Sequence, residues 1–209
     1  MKPHEIEIES FRLIDGLVDF VPFVEVGHYR CNELNVVKRM IHACGDIGIA
    51  NSVRLSSNAY RVGIDALKAG APVVCDVQMV VSGLSARVKA DSDVYCFINE
   101  PEVVNEAKTM GETRARRALF YAAKRYPDAI YIIGNAPTAL LALLELYRQD
   151  KISPALVIGI PVGFVMARES KDELVNTSLN YITCLGNRGG SPMSAAVLNA
   201  LAIDAPLAN

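Results

Sequence analysis

Residues 129–138 read Ala-Ile-Tyr-Ile-Ile-Gly-Asn-Ala-Pro-Thr, which is a short apolar run followed by a turn and a proline. The run shows no alternation of apolar and polar residues, which is typical of a strand covered on both faces of a sheet. Pro137 fits the first position of a helix, because a proline has no N–H group to leave unpaired there. The segment therefore predicts a buried strand that passes directly into a helix.

The same arrangement recurs along the chain. Further apolar runs rich in Val, Ile, Tyr and Cys are predicted strands, at 72–77, 93–98, 155–159 and 181–185. Helical periodicity lies between and after them, at 101–110, 112–126, 137–149, 169–176 and 192–201. Alternation of strands and helices predicts a three-layer α/β/α fold, Rossmann-like, with a mostly parallel sheet of about five strands.

The part of the chain before the first predicted strand has only helical patterns, at 6–17, 34–44 and 59–69. No repeat or Pro/Ser-rich linker divides the chain. We expect residues 1–209 to form a single domain in which these helices pack on the sheet.

Composition excludes several classes of partner. Hydrophobic residues make up 51% of the chain and the formal net charge is −2, which disfavours binding to a nucleic-acid backbone. The most apolar stretch, 155–167, is shorter than the roughly 18 residues that a membrane span needs. The acidic N-terminal residues do not resemble a secretory signal, so we expect a cytoplasmic protein that binds neither nucleic acid nor membrane.

Cysteines and histidines give no metal-binding pattern. The five cysteines are an odd number without a C-x-x-C pair, and we expect them to be reduced and mostly buried. The three histidines do not occur at helical ligand spacing. The sequence therefore predicts no bound metal.

Two turns after predicted strands are candidate ligand sites, because open parallel sheets bind ligands at the carboxyl ends of their strands. They are 134–138, Gly-Asn-Ala-Pro-Thr, and 186–192, Gly-Asn-Arg-Gly-Gly-Ser-Pro. We expect both to aim free backbone N–H groups at solvent, with Ser191 as a helix N-cap and Gly190 allowing close approach. Arg188 favours a carboxylate or phosphate there. The alternative is that Gly and Pro only shape tight turns; neither turn has a dinucleotide or nucleoside-triphosphate fingerprint.

Two further segments carry charged groups that could act on a ligand. His42 lies in the last turn of the helix predicted at 34–44, where the helix dipole favours a protonated side chain, and Arg39 lies on the same helical face. The alternative for His42 is a buried core histidine. Arg114 lies beside the start of another predicted helix, and a solvated helix face is its alternative.

Taken together, the motifs resemble the precorrin-8X methylmutases, also called cobalt-precorrin-8 methylmutases, over nearly the whole chain. The fragments that carry the resemblance are Ser10-Phe11, Arg39-Met40-Ile41-His42-Ala43-Cys44-Gly45, Asp76-Val77-Gln78-Met79-Val80, Gly111-Glu112-Thr113-Arg114, Gly134-Asn135-Ala136-Pro137-Thr138, Pro161-Val162-Gly163-Phe164-Val165, Glu169-Ser170-Lys171 and Arg188-Gly189-Gly190-Ser191. Ala115, Met166 and Arg168 depart from the pattern of the family and affect only the expected detail of substrate contacts.

The resemblance implies an isomerase of cobalamin biosynthesis that needs no cofactor. Such an enzyme moves a methyl group between adjacent carbons of pyrrole ring C, converting precorrin-8X to hydrogenobyrinate or cobalt-precorrin-8 to cobyrinate. It also implies a homodimer with the site near the subunit interface. Carried over residue by residue, His42 is catalytic, and the positions implied to bind the tetrapyrrole substrate are Ser10, Arg39, Arg114, Arg188, Gly190 and Ser191.

Two other functions stay open at this point. A non-catalytic corrinoid carrier would need a similar pocket, and multiple turnover distinguishes an enzyme from it. A nucleotide-dependent Rossmann enzyme is the more distant alternative, and thermal stabilisation by NAD, NADP or ATP would reveal it.

Overall fold

The structure, a computed structural model, describes residues 2–205. One six-stranded sheet has the strand order β1-β6-β5-β4-β2-β3. Its strands are β1 (Val53–Leu55), β2 (Val73–Cys75), β3 (Val94–Tyr95), β4 (Ile130–Ile133), β5 (Leu156–Gly159) and β6 (Tyr181–Cys184). All neighbouring pairs are parallel except β1 with β6. The mixed, mostly parallel sheet confirms the predicted fold class.

Helices connect these strands and precede them. In chain order they are α1 (Pro3–Leu17), α2 (Val21–Glu25), α3 (Leu34–Cys44), α4 (Ala59–Lys68), α5 (Gln78–Gly83), α6 (Ala86–Asp91), α7 (Pro101–Met110), α8 (Arg114–Ala123), α9 (Pro137–Arg148), α10 (Ala167–Val175) and α11 (Ser191–Asp204). Short 3₁₀ turns at Cys31–Glu33 and Ile47–Ile49 flank α3.

The sheet separates two hydrophobic clusters. Successive side chains of a strand point to opposite faces, and in β4 Ile130 and Ile132 join one cluster while Tyr131 and Ile133 join the other. The first cluster includes buried side chains of α3, α4 and α11, and the second includes those of α8 and α9. This arrangement gives the three layers that the alternation of strands and helices predicts.

The sequence prediction was wrong in two places. A sixth strand, β1, lies in the part of the chain that was predicted to be helical, and it is antiparallel to β6. It is only three residues long and contains Arg54, so it lacks an apolar run. The short helices α5 and α6 were also not predicted, because each spans six residues, fewer than two turns of helical periodicity.

The prediction that the five cysteines are mostly buried is wrong. Cys75 and Cys184 are buried within strands β2 and β6, whereas Cys31 and Cys44 are exposed. Cys44 ends helix α3 on the side that faces solvent, which the apolar neighbours of this residue in sequence did not reveal.

Candidate functional site

His42 lies in the last turn of α3 and its side chain is exposed, which excludes the alternative of a buried core histidine. The helix ends at Gly45, whose φ of 66° gives the left-handed conformation of a C-cap. The imidazole Nδ1 lies 2.7 Å from the hydroxyl oxygen of Ser10 on α1. The structure therefore brings together two of the predicted site residues from distant parts of the chain.

Helix α1 supplies the surroundings of His42. The ring of Phe11 packs edge-on against the imidazole, with 6.2 Å between ring centroids. The guanidinium of Arg39 lies 5.2 Å from the centre of the same Phe11 ring and forms a salt bridge with Glu7. Glu7, Ser10 and Phe11 follow the three- and four-residue spacing of one helix face, so α1 presents this face to α3.

A cleft of about 320 Å³ lies between α3 and α11, beside α5. Arg39 and His42 line one side, and the small residues Ala195 and Ala196 line the other. The Arg39 Nε atom is buried without a hydrogen-bond partner among the described residues. The cleft thus offers an apolar floor with a cation and an imidazole at its edge.

A second cleft, of about 240 Å³, borders the same two helices further along. Cys44 and Met193 line it, together with Arg188 and Asp46, whose Nε and Oδ2 atoms are 3.1 Å apart. The Arg188 side chain is 55% exposed, so it remains accessible to a ligand in spite of this ion pair. Arg39 and Arg188 therefore line two separate clefts, each of which also borders α3 and α11.

The turn that carries Arg188 leads directly into α11. Gly190, with φ of 125°, is the N-cap, so the prediction of Ser191 as N-cap is wrong by one residue. Ser191 is the first residue of the helix, and its hydroxyl is buried without a hydrogen-bond partner in the described part of the chain. A Cβ at Gly189 would lie 2.4 Å from the Ile160 carbonyl oxygen, so this position admits no side chain.

The other predicted anion site, at 134–138, does not form. The carboxylate of Asp76, which directly follows β2, accepts hydrogen bonds from the backbone N–H groups of Gly134, Asn135 and Ala136, at 3.0, 2.8 and 2.8 Å. Burial raises the pKa of Asp76, and these hydrogen bonds oppose the rise. Asp76 thus occupies the N–H groups that we expected to face solvent, and it fixes the turn before α9.

Arg114 lies apart from His42 and lines neither cleft. It is the exposed first residue of α8, after the N-cap Thr113, and its Nη1 lies 3.3 Å from the Asn99 side-chain oxygen. Thr113 in turn contacts Thr138 in the first turn of α9. Asn99 follows β3 and Thr138 follows β4 in the chain. Arg114 therefore lies near the carboxyl ends of these two strands.

The loop after β5 exposes a set of apolar side chains beside the second cleft. Val162 lines that cleft, while Phe164 and Val165 are 91% and 80% exposed. Met166 adopts the left-handed conformation, with φ of 61°, immediately before α10. Such exposure of large apolar residues is typical of a binding surface.

Among residues 2–205 no three His, Cys, Asp or Glu side chains are grouped so that they could hold a metal ion. Within the same residues, no helix has the length and apolar character needed to cross a membrane.

Comparison with known proteins gives consistent results. A family model described as precorrin-8X methylmutase matches residues 5–203. The chain is 41% identical over 206 residues to a cobalt-precorrin-8 methylmutase of Leptospira interrogans, covering 94% of this chain and 91% of the relative. It is 39% identical to a precorrin-8X methylmutase of Sinorhizobium, with 92% and 90% covered. A solved precorrin-8X methylmutase from Thermus thermophilus superposes with a TM-score of 0.84 at 39% identity, covering 97% of this chain and 96% of that chain.

Proposed function

The chain belongs to the precorrin-8X methylmutase family, and we propose that it moves a methyl group between adjacent carbons of pyrrole ring C of its substrate. The reaction converts precorrin-8X to hydrogenobyrinate, or cobalt-precorrin-8 to cobyrinate. The observation that carries this proposal is the pairing of Ser10 with His42 at the edge of the cleft between α3 and α11.

The chemistry of the two clefts suits a tetrapyrrole. Such a macrocycle has a broad apolar face and an edge of acetate and propionate groups. The small apolar side chains of α11 leave room for the face, and Arg39 and Arg188 can bind carboxylates by charge-assisted hydrogen bonds. Gly190 and Ser191 add the positive end of the α11 dipole. Arg114 contacts a more distant carboxylate in this proposal.

His42 acts on the macrocycle as an acid or a strong hydrogen-bond donor. Ser10 holds Nδ1, so Nε2 is the ring nitrogen left to face the substrate. When the Ser10 hydroxyl donates to Nδ1, the neutral ring carries its proton on Nε2, and the imidazolium carries protons on both nitrogens. In either state Nε2–H is a donor toward the electron density that shifts as the methyl group migrates.

The reaction neither gains nor loses a proton overall. One carbon–methyl bond breaks on ring C and one forms on the neighbouring carbon, so that substrate and product are isomers. A proton lent by His42 to the macrocycle therefore returns to the imidazole, directly or through solvent, before the next turnover. No oxidant or second substrate is consumed.

The test is His42→Ala, with turnover followed by the visible spectrum of the corrinoid chromophore. General acid assistance supplies about 10²- to 10⁴-fold in rate, and we expect a loss in that range with product binding nearly unchanged. Since multiple turnover is the readout, the same assay separates an enzyme from a protein that only binds the corrinoid.

His28→Ala is the matched control, because His28 stacks on Phe23 and lines neither cleft. We expect it to keep the wild-type rate within about threefold, far from the loss expected for an acid catalyst. A His42→Ala protein that turns over within that same margin contradicts the catalytic assignment. A wild-type protein that binds stoichiometrically without turnover contradicts the enzymatic function itself.

The proposal extends to the setting of the protein. We propose a single domain over residues 1–209, a cytoplasmic location and a homodimer whose partner completes the substrate site. The size of the clefts supports the dimer: 320 and 240 Å³ lie at or below the low end of the about 300–1,000 Å³ of ligand pockets, while a tetrapyrrole is a large ligand.

A further inference from the structure

Lys171, on α10, is a fully buried lysine. Its ammonium donates a hydrogen bond of 2.7 Å to the backbone carbonyl oxygen of Arg188. Within residues 2–205 no carboxylate forms a salt bridge with it; the neighbouring Asp172 lies next to Arg168, at 3.5 Å. A buried charge with a single carbonyl partner is costly, so its presence calls for a role.

The hydrogen bond of Lys171 is one of several that fix the turn at 186–190. The Gly190 N–H donates to the Ile160 carbonyl, and the Gly163 N–H donates to the Asn187 carbonyl. These bonds tie the turn to the loop that follows β5. Lys171 connects the turn to α10. Its partner in the turn is Arg188, whose side chain lines the second cleft.

The charges around this turn leave a positive excess. Asp46 pairs with Arg188 and Asp172 pairs with Arg168, so among residues 2–205 no salt bridge compensates the ammonium of Lys171. The N-terminus of α11 adds its positive dipole end at Gly190. Burial lowers the pKa of Lys171 to about 8, which leaves the side chain mostly protonated at neutral pH. An anion at the turn would compensate this excess.

We propose that Lys171 is a positioning residue for substrate binding. Its buried ammonium holds the Arg188–Gly190 turn so that the Arg188 side chain and the start of α11 face one carboxylate of the substrate. This inference rests on the proposed function and goes beyond it, because Lys171 lines neither cleft and acts only through the turn.

The experiment measures binding of hydrogenobyrinate by visible titration, together with kcat and KM, for Lys171→Met. Methionine fills a similar volume without the donor. We expect the Kd and KM to rise about tenfold, as for the loss of one well-placed charge-assisted contact, while kcat stays within about threefold. A general loss of folding would lower the active fraction and kcat instead, so this split distinguishes positioning from a structural defect.

A double-mutant cycle with Arg188→Ala completes the test. Because Lys171 acts through the turn that carries Arg188, we expect Lys171→Met to weaken binding by a smaller factor in the Arg188→Ala background than in the wild-type protein. Lys108→Met, an exposed lysine on α7, is the control and should bind as wild type. If Lys171→Met does not fold, Lys171→Gln replaces it. The glutamine side chain is one bond shorter than that of lysine, so its amide does not reach the Arg188 carbonyl oxygen.

Unchanged binding in the Lys171 variant, or losses that add fully with those of Arg188→Ala, would overturn the inference. Neither result would touch the proposed function, which His42→Ala tests by turnover. Conversely, a wild-type protein that neither binds nor converts the substrate refutes the function without reference to Lys171.

Discussion

Ser10 and His42 are 32 residues apart in the chain, and their contact depends on how α1 lies on α3. The same face of α1 carries Glu7 and Phe11, which contact Arg39 and the imidazole. Each group at the edge of the first cleft is therefore oriented by a side chain of α1. Ile14, buried in the core one turn later, anchors this face.

Arg39 gives a prediction in which two substitutions act in opposite directions. If Arg39 binds a substrate carboxylate, Arg39→Ala weakens binding of hydrogenobyrinate by one to two orders of magnitude, for a contact of about 1.5–3 kcal/mol. Glu7→Gln removes the carboxylate that pairs with Arg39 in the free protein, and binding becomes tighter. Both effects are measured by spectroscopic titration at one salt concentration.

The control for this pair is Glu9→Gln. Glu9 pairs with Arg12 on the exposed side of α1. We therefore expect the Glu9→Gln variant to bind hydrogenobyrinate with unchanged affinity. An Arg39→Ala protein with wild-type affinity, or a Glu7→Gln protein that binds more weakly, contradicts the assignment of Arg39 to a substrate carboxylate.

At this scale the sequence indicates which groups share a helix face, but it does not indicate which polar groups are buried. His42 and Arg39 follow from helix position, and Ser10 follows only from the family resemblance. Asp76 and Lys171 were not predicted as site residues, because their roles depend on total burial and on backbone partners 58 to 60 and 17 positions away. A polar residue in a helix gives no sign in sequence that it is buried.

At the scale of elements, the turn before α11 depends on Gly189 having no side chain. An added Cβ would lie 2.4 Å from the Ile160 carbonyl oxygen and 2.7 Å from that of Pro161, which are backbone atoms that cannot rotate away. We predict that Gly189→Ala lowers the free energy of unfolding by about 1–3 kcal/mol, the usual cost of overpacking, and weakens product binding. Chemical denaturation and titration measure the two effects.

Gly16→Ala is the matched control, since a Cβ at Gly16 in α1 meets no atom within 4 Å. Replacing a helical glycine by alanine raises stability by about 0.5–1 kcal/mol, so the two variants should change stability in opposite directions. Equal effects of the two substitutions would mean that the close approach of this turn to the loop after β5 does not affect stability.

Element types were predicted more reliably than element ends. The five predicted strands all form, but β3 keeps two of the six residues in 93–98. β3 lies at the edge of the sheet and pairs with β2 over these two residues. The role of the two turns could not be predicted from their sequences. Both 134–138 and 186–192 combine Gly, Asn and Pro, but the N–H groups that Asp76 binds belong to 134–138.

At the scale of the whole molecule, large apolar side chains are exposed on α1 and on the loop after β5. On α1 the exposed large apolar side chains are Ile6, Ile8, Leu13 and Leu17, at 52%, 65%, 49% and 65%. Phe164 and Val165 add a second exposed apolar group, next to the cleft that Arg188 lines. Together with the mean hydropathy of +0.23, these surfaces favour association of two copies.

We predict that light scattering at micromolar concentration gives a mass of twice 22.7 kDa. Phe164→Asp replaces the most exposed of the large apolar side chains among the described residues by a charged one. We expect it to shift the protein toward monomer and to lower turnover, because burial of an unpaired carboxylate in an interface is costly.

Met110→Asp is the control: Met110 is 57% exposed at the end of α7 and lines neither cleft, so this variant should stay dimeric and active. A wild-type protein that is a stable and fully active monomer refutes the dimer. A Phe164→Asp protein that remains dimeric assigns the interface to a surface other than the loop after β5.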